Sequence, residues 1–143
     1  GLNVSGMSEN LKETIRTLKS HDIQVSLFIE PNTRQIKESK KVGADYIEIH
    51  TGKYSLAYEQ SNSQEVQEEL ANIKDAVTLA RKNNLGINGG HGLNYQNIGP
   101  IAAIDGIEEL NIGHSIISRS SLVGIEKAVR EMKSLIEKFE EED

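Results

Sequence analysis

Apolar residues recur along this chain in two alternating patterns, one typical of helices and one typical of strands. Helical spacing of leucine and isoleucine predicts a first helix over about residues 8–21, with Ser8 as its N-cap. The apolar and β-branched run at 23–29 then predicts a strand. A helix followed by a strand is therefore the first unit of the chain.

The next segments repeat this order. A second helix, capped by Asn32 or Thr33, is predicted to end at Gly43, because glycine readily adopts the left-handed conformation that terminates helices. Residues 46–50 alternate strictly between polar and apolar side chains, which is the period of a strand. Helix and strand alternate again, so the two units have the same organisation.

Two more units complete the pattern. A long helix through 66–79 precedes a glycine-rich strand at 85–90, and a short helix at 97–103 precedes a strand at 110–112. The chain closes with an amphipathic helix. Its apolar residues step by three and four positions, and we expect this stripe to pack in the core: Leu122, Ile125, Val129, Met132 and Ile136.

Strands that alternate with helices indicate an α/β protein with a parallel sheet. Such strands are usually apolar on both faces, yet Glu48 and His50 share one face of their strand, opposite Ile47 and Ile49. A (β/α)8 barrel, also called a TIM barrel, explains the polar face, because its catalytic groups lie inside, near the carboxyl ends of the strands. Four βα units make half of such a barrel, so we expect the chain to be one part of it.

Two glycine-histidine pairs follow the last two strands. Gly90-His91-Gly92 ends one strand and Gly113-His114 ends the next. Glycines let backbone N–H groups approach an anion, a following helix adds its positive end, and the two turns together predict a phosphate site. A histidine in each turn adds a group that can donate a proton. A single pair of this kind is more often a tight turn with a solvent-facing imidazole.

Composition narrows the possible functions. The net charge of −6 argues against nucleic-acid binding, and the acidic residues concentrate in the tail at 137–143, which we interpret as a solvated helix end. The chain has no cysteine, which excludes disulfides and thiol chemistry, and no apolar run approaches the roughly 20 residues of a membrane span. His91 and His114 have no third ligand at recognisable spacing, so no metal site is predicted.

Four sequence blocks resemble the C-terminal half of the pyridoxine 5'-phosphate synthase family, in the same order and with similar spacing. The blocks are VSLFIE at 25–30, YIEIHTG at 46–52, NGGHGL at 88–93 and ELNIGHSII at 109–117. The opening GLNV also resembles the loop that follows strand four in that family. The resemblance implies that residues 1–143 are strands five to eight of a single TIM-barrel domain.

The resemblance also implies an activity. Enzymes of the family condense 1-deoxy-D-xylulose 5-phosphate with 3-amino-2-oxopropyl phosphate to pyridoxine 5'-phosphate, with loss of phosphate and water, in vitamin B6 biosynthesis. They need no cofactor, and they are cytoplasmic homo-oligomers. We therefore expect phosphorylated small molecules as substrates, and neither nucleic acid nor membrane as a partner.

Motif matches assign roles to five residues. The resemblance makes His91 the proton donor and Glu48 the carboxylate that stabilises the transition state. It places Gly92, Gly113 and His114 around the phosphate of the amino-ketone substrate. Desolvation on a largely apolar strand would raise the pKa of Glu48, which suits a carboxylate that meets developing positive charge.

Other family groups have no match in this chain. The aspartate-histidine pair near the N-terminus, the histidine and arginine around strand two and the glutamate of strand three all precede the matched region. We therefore expect a companion N-terminal segment, and the alternative is a non-catalytic half-barrel that binds phosphorylated molecules or a partner subunit. We interpret Glu30 and His50 as structural residues, and Arg119 as a surface or helix-capping residue that could instead contact phosphate.

Overall fold

Residues 1–140 are described by the computed structural model, and they form a parallel sheet whose strands alternate with helices. The strands are β1 (Ser26–Ile29), β2 (Tyr46–His50), β3 (Gly86–Gly90) and β4 (Glu109–Asn111). The helices are α1 (Ser8–Lys19), α2 (Thr33–Val42), α3 (Gly52–Glu59), α4 (Ser63–Lys82), α5 (Gly99–Ala102), α6 (His114–Val123) and α7 (Ile125–Glu140). A short 3₁₀ turn at Val4–Gly6 precedes α1.

The four strands lie side by side in chain order, β1-β2-β3-β4, and every neighbouring pair is parallel. The register sets Glu48 between Phe28 of β1 and Asn88 of β3, and it sets His50 beside Gly90. The predicted α/β class and the parallel sheet are confirmed. All carboxyl strand ends therefore meet at one edge of the sheet, where the loops that carry the glycine-histidine pairs begin.

The two faces of the sheet differ as the alternation predicted. Ile29, Ile47 and Ile49 are fully buried in the core under the helices, whereas Glu48 and His50 are only half-buried on the opposite face. Burying a side chain of isoleucine size stabilises the fold by about 1.5–3 kcal/mol. The apolar face of each strand therefore packs against the helices. The polar face is left free to form a site.

Helix ends follow the predicted signals in α2 but not in α1. The Asn32 side chain accepts hydrogen bonds at the start of α2, and Gly43 ends it with a left-handed φ of 95°. The predicted N-cap Ser8 is wrong by one position, because Met7 precedes the helix there and makes no side-chain cap hydrogen bond. Ser8 is instead the first helical residue.

The segment after α1 is longer than predicted, and β1 is correspondingly shorter. The chain leaves α1 through Asp22, whose φ is 58°, and Ile23 is 48% exposed. Residues 23–25 therefore lead into the sheet, and β1 begins at Ser26. Only the last four residues of the predicted strand pair with β2.

One helix between β2 and the long helix α4 has no counterpart in the prediction. Helix α3 buries Tyr54, Ser55 and Ala57 while Leu56 is exposed, so its buried side carries no apolar stripe that a periodicity analysis recognises. Its position right after β2 nevertheless matters for the site. Helices α4 and α5 agree in place with the prediction, although α4 extends over Ser63–Lys82.

The closing helix differs most from its prediction. Gly124, with a φ of 84°, separates α6 from α7, so the expected single stripe belongs to two helices. Met132 is buried and Ile136 packs partly against the core, but Leu122 is 81% exposed and Ile125 is 54% exposed. Val129 is exposed as well. The prediction that the whole stripe is buried is therefore wrong, because spacing alone does not show which helix faces are covered.

The acidic tail is helical as far as the structure describes it. Helix α7 continues through Glu140. Residues 141–143 of the predicted helix end lie outside the described residues.

Candidate active site

A cleft of about 790 Å³ opens at the carboxyl edge of the sheet, between the polar sheet face and the loops after β3 and β4. All five residues predicted to act in catalysis or phosphate binding line this cleft. They are Glu48, His91, Gly92, Gly113 and His114. Residues far apart in the sequence therefore meet in one place, as catalytic residues do at the carboxyl ends of parallel strands.

His91 lies at the end of β3 in a conformation that few non-glycine residues adopt. Its φ is 83°, in the left-handed region. The Thr51 hydroxyl lies 2.7 Å from the carbonyl oxygens of both Gly90 and His91, and the Ser55 hydroxyl donates to the His91 carbonyl at 3.3 Å. Such backbone conformations cost about 1–3 kcal/mol, and these hydroxyl groups help to hold this one. The His91 side chain is exposed to the cleft.

Gly92 continues the same turn and is required there for two reasons. Its φ is 76°, and a Cβ atom at this position would lie 2.7 Å from the Cβ of Ser55. Its carbonyl accepts a hydrogen bond from the buried Asn97 amide at 3.1 Å. The turn is therefore packed on one side and open to the cleft on the other.

Gly113 and His114 form a more open turn at the start of α6. Gly113 precedes the helix without any side-chain cap hydrogen bond, and a Cβ there would have no neighbour within 4 Å. His114, the first residue of α6, is exposed. The free N–H groups of the first helical turn and the positive end of the helix dipole face this end of the cleft, where an anion binds favourably.

Glu48 lies on the floor of the cleft, half-buried in the middle of β2. Asn111 at the end of β4 donates a hydrogen bond to its carboxylate at 3.1 Å. A Cβ at Gly90 would collide with this carboxylate, so the glycine leaves the space that Glu48 needs. Burial raises the pKa of Glu48 above its usual value, and the Asn111 hydrogen bond partly opposes that effect. The expected direction of the pKa shift is confirmed.

Three contacts around these residues were not predicted from the sequence. Asn111 holds Glu48, and Thr51 holds the His91 turn. His50, interpreted as structural, has its ring stacked on the ring of His91. Parallel register supplied the missing signal, because Asn111, Gly90 and His50 occupy neighbouring positions at the same level of three strands.

Arg119 does not reach the cleft. Its guanidinium forms hydrogen bonds to both Glu131 carboxylate oxygens, at 2.9 and 3.3 Å, and this pairing lowers the pKa of Glu131. Arg119 was interpreted either as a surface or helix-capping residue or as a phosphate contact, and this ion pair agrees with the surface role. Within residues 1–140 no three potential metal ligands cluster, and no helix is long and apolar enough to cross a membrane.

The fold and the cleft together define a class: an α/β protein whose polar site lies at the carboxyl edge of a parallel sheet. The family follows from sequence comparison. Residues 1–138 match the family described as "Pyridoxal phosphate biosynthesis protein PdxJ". The chain belongs to this family, and the resemblance noted from its four sequence blocks is confirmed.

Curated relatives are similar over nearly the whole chain. Proteins named "Pyridoxine 5'-phosphate synthase" from Geobacter sp. (strain M21) and Thermodesulfovibrio yellowstonii are both 54% identical to it over 136 residues. The synthase of Prochlorococcus marinus (strain MIT 9211) is 53% identical over 137 residues. Each alignment covers 95% of this chain but only 54–56% of the relative. The chain thus spans about half the length of the curated relatives it matches.

Proposed function

We propose that residues 1–143 form the C-terminal half of a single (β/α)8 barrel, strands five to eight, in a pyridoxine 5'-phosphate synthase. The observation that best supports this proposal is the convergence of Glu48, His91, Gly92, Gly113 and His114 on one cleft. The names of the relatives supply the product, pyridoxine 5'-phosphate. The family resemblance implies that two phosphorylated substrates condense to form it. The two phosphorylated substrates are 1-deoxy-D-xylulose 5-phosphate and 3-amino-2-oxopropyl phosphate.

His91 is the proton donor in this proposal. Closing the pyridine ring requires proton transfers and the loss of water, and a group that donates a proton to a departing hydroxyl accelerates such a step. The imidazole is exposed to the cleft, and its backbone is held by Thr51 and Ser55. A fixed donor avoids the cost of orienting the acid in each turnover.

Glu48 stabilises positive charge that develops on the condensing nitrogen and carbon atoms. Its carboxylate is half-buried, so an adjacent cationic intermediate interacts with it more strongly than it would in water. Asn111 fixes the orientation of the carboxylate. The raised pKa of Glu48 has the same origin, because burial penalises the carboxylate until a cation comes close.

Gly92, Gly113 and His114 bind the substrate phosphate. The open backbone at Gly113 lets phosphate oxygens reach the N–H groups of the first turn of α6. His114 adds a side-chain donor at the same end of the helix. Substrate phosphate then anchors the molecule while His91 and Glu48 act on its reactive end.

The surface of the chain supports a larger barrel. Leu122 on α6 and Ile125 and Val129 on α7 are exposed apolar side chains, and a further βα segment could cover them. Leu2 already donates a hydrogen bond from its backbone to the Phe28 carbonyl at 2.6 Å, beside the edge of β1. The full-length protein is then the proposed complete barrel, in which this chain follows a segment equivalent to the first half of its relatives.

Replacing His91 with asparagine in the full-length protein tests the proposal. Asparagine tolerates a left-handed backbone, so His91→Asn removes the proton donor without straining the turn. We expect kcat to fall by ~10²- to 10⁴-fold, with KM for the amino-ketone phosphate changed by less than about threefold. His21→Asn, at an exposed histidine beyond α1, is the matched control and should leave turnover unchanged.

Unchanged turnover in His91→Asn would contradict the assigned role. If the unmodified full-length protein binds phosphate esters but forms no pyridoxine 5'-phosphate, the non-catalytic alternative is the correct one. Quantifying the product and measuring binding of the amino-ketone phosphate on the same samples separates these outcomes.

A further inference from the structure

The ring of His50 makes a contact that the proposed reaction has not used. It stacks on His91 with ring centroids 4.7 Å apart and an interplanar angle of 22°. Phe28 from β1 meets the same ring edge-on, with centroids 4.9 Å apart. His50 thus lies between Phe28, a half-buried aromatic residue that lines the cleft, and the proposed proton donor.

Glu30 lies on the remaining side of His50. Its Oε1 atom is 3.3 Å from His50 Nδ1, but the geometry does not satisfy a hydrogen bond. Within residues 1–140, both His50 Nδ1 and Glu30 Oε2 are buried without a hydrogen-bond partner. Buried polar atoms without partners are uncommon, and a role in catalysis is one of the explanations for them.

The backbone leaves room for this stack at Gly52, the first residue of α3. A Cβ there would lie 2.5 Å from His50 Cε1 and 3.1 Å from His91 Cδ2. Both rings therefore rest against the same glycine, and any larger residue would push them. The stack joins residues of three parts of the fold: β2, the turn after β3 and the start of α3.

We propose that His50 is a positioning residue, whose ring, placed by Phe28, Gly52 and Glu30, holds the His91 imidazole in the orientation for proton donation. This inference rests on the proposed role of His91. It adds a function for two residues, Glu30 and His50, that the sequence alone presented as structural.

The charges around His50 agree with a neutral ring at pH 7. Burial lowers the pKa of His50 below its usual value; the Glu30 carboxylate opposes this shift, and the His91 charge adds to it. Lys53 also lowers the pKa of His50, and the other titratable groups of β2 on this face of the sheet are Tyr46 and Glu48. A neutral ring can stack on a protonated His91 without charge repulsion.

A pair of substitutions in the full-length protein separates ring positioning from other roles. His50→Leu removes the flat ring, whereas His50→Phe keeps a ring that can stack but has no nitrogen. We expect His50→Leu to lower kcat by about 10- to 100-fold with little change in KM, because a misplaced proton donor slows only the chemical step. His50→Phe should retain most of kcat. His21→Leu and His21→Phe are controls for the substitutions themselves.

Histidine ring NMR tests the stack independently of catalysis. With ¹³C-labelled histidine, the His91 ring signals should shift in His50→Leu, through loss of the ring current, and stay close to their original positions in His50→Phe. Glu30→Gln should lower the pKa of His50 further, and His91→Asn should raise it, because these neighbours act in opposite directions.

Two results would overturn the positioning role. One is a His50→Leu protein with unchanged kcat, or with KM rising in parallel with the loss of kcat. The other is a set of His91 ring signals that do not respond to His50→Leu. If the unmodified protein has no synthase activity, the proposed function fails, but the NMR arm still decides whether His50 orients His91.

Discussion

The two glycine-histidine turns are alike in sequence but are built in opposite ways. At the end of β3, both His91 and Gly92 have left-handed backbones, with φ values of 83° and 76°, and hydroxyl and amide groups of other elements hold their carbonyls. At the end of β4, Gly113 has an ordinary φ of −121° and open space around its Cα. The fold itself therefore requires Gly92 in the first turn. In the second turn, Gly113 would be required only for binding a ligand.

This difference suits the two proposed tasks. A proton donor must hold a fixed direction, and a strained turn held by Thr51 and Ser55 provides one. A phosphate site needs accessible N–H groups, which a bare helix start provides. The same dipeptide therefore serves a rigid role in one loop and an open role in the next.

The largest expected effect comes from placing serine at each of the two glycines. Gly92→Ser adds a Cβ against Ser55 and forces a left-handed backbone, so the unfolding free energy should fall by about 1–3 kcal/mol from the backbone alone. Gly113→Ser adds a favourable N-cap and should stay within about 0.5 kcal/mol of the original protein. Denaturant unfolding of both full-length variants measures the difference. Equal losses would show that the two turns are not built differently.

Phosphate binding, unlike stability, should be more sensitive to a change in the second turn than in the first. Gly113→Val fills the open end of the cleft and blocks the first turn of α6, at a position where a Cβ meets no protein atom. Losing one charge-assisted hydrogen bond, about 1.5–3 kcal/mol, corresponds to roughly 10- to 100-fold weaker binding of the amino-ketone phosphate. Calorimetry checks this, with circular dichroism to confirm that the protein is folded. Unchanged affinity would remove Gly113 from the phosphate site.

A smaller effect is expected from the hydroxyl that holds the first turn. Thr51→Val keeps the shape of the side chain but removes the 2.7 Å donor to the Gly90 and His91 carbonyls. His91 keeps only the Ser55 hydroxyl at 3.3 Å, so the loss should be about 1–1.5 kcal/mol of stability. Ser115→Ala, which removes a 2.8 Å hydrogen bond to Leu93 beside the second turn, is the comparison and should cost about 0.5–1.5 kcal/mol. A larger loss in Ser115→Ala than in Thr51→Val would reverse the proposed contrast in rigidity. Thermal unfolding ranks the two.

The smallest expected effect is a dependence of stability on pH that comes from Glu48. Because burial raises the pKa of this acid in the folded state, its ionisation opposes folding. Glu48 makes its full contribution to stability below pH 4.5, the pKa of this side chain in the unfolded protein. That contribution is lost as the pH rises through the higher pKa of the folded state. Stability measured against Glu48→Gln across this window should therefore decline with rising pH. A constant difference between the two proteins would show that Glu48 is not desolvated.

The glycine-histidine loops and the strand alternation were predictable because they depend on local chemistry. Asn32 caps α2, Gly43 ends it, and Glu48 lies on the polar face of β2, all as predicted. Helix α3 was not predictable, since its buried residues form no apolar stripe. The burial of Leu122 was predicted wrongly, because a helical period shows that a face is apolar but not that anything covers it.

The sequence by itself determined the α/β order, the family and the five candidate site residues, because periodicity, turn chemistry and the four blocks that resemble the family are all local properties of the chain. Tertiary structure alone decided that Asn111 holds Glu48, that Thr51 holds the strained turn and that His50 stacks on His91. Those contacts join residues from different strands and loops. They depend on strand register and on the space left at Gly52 and Gly90, which no local pattern records.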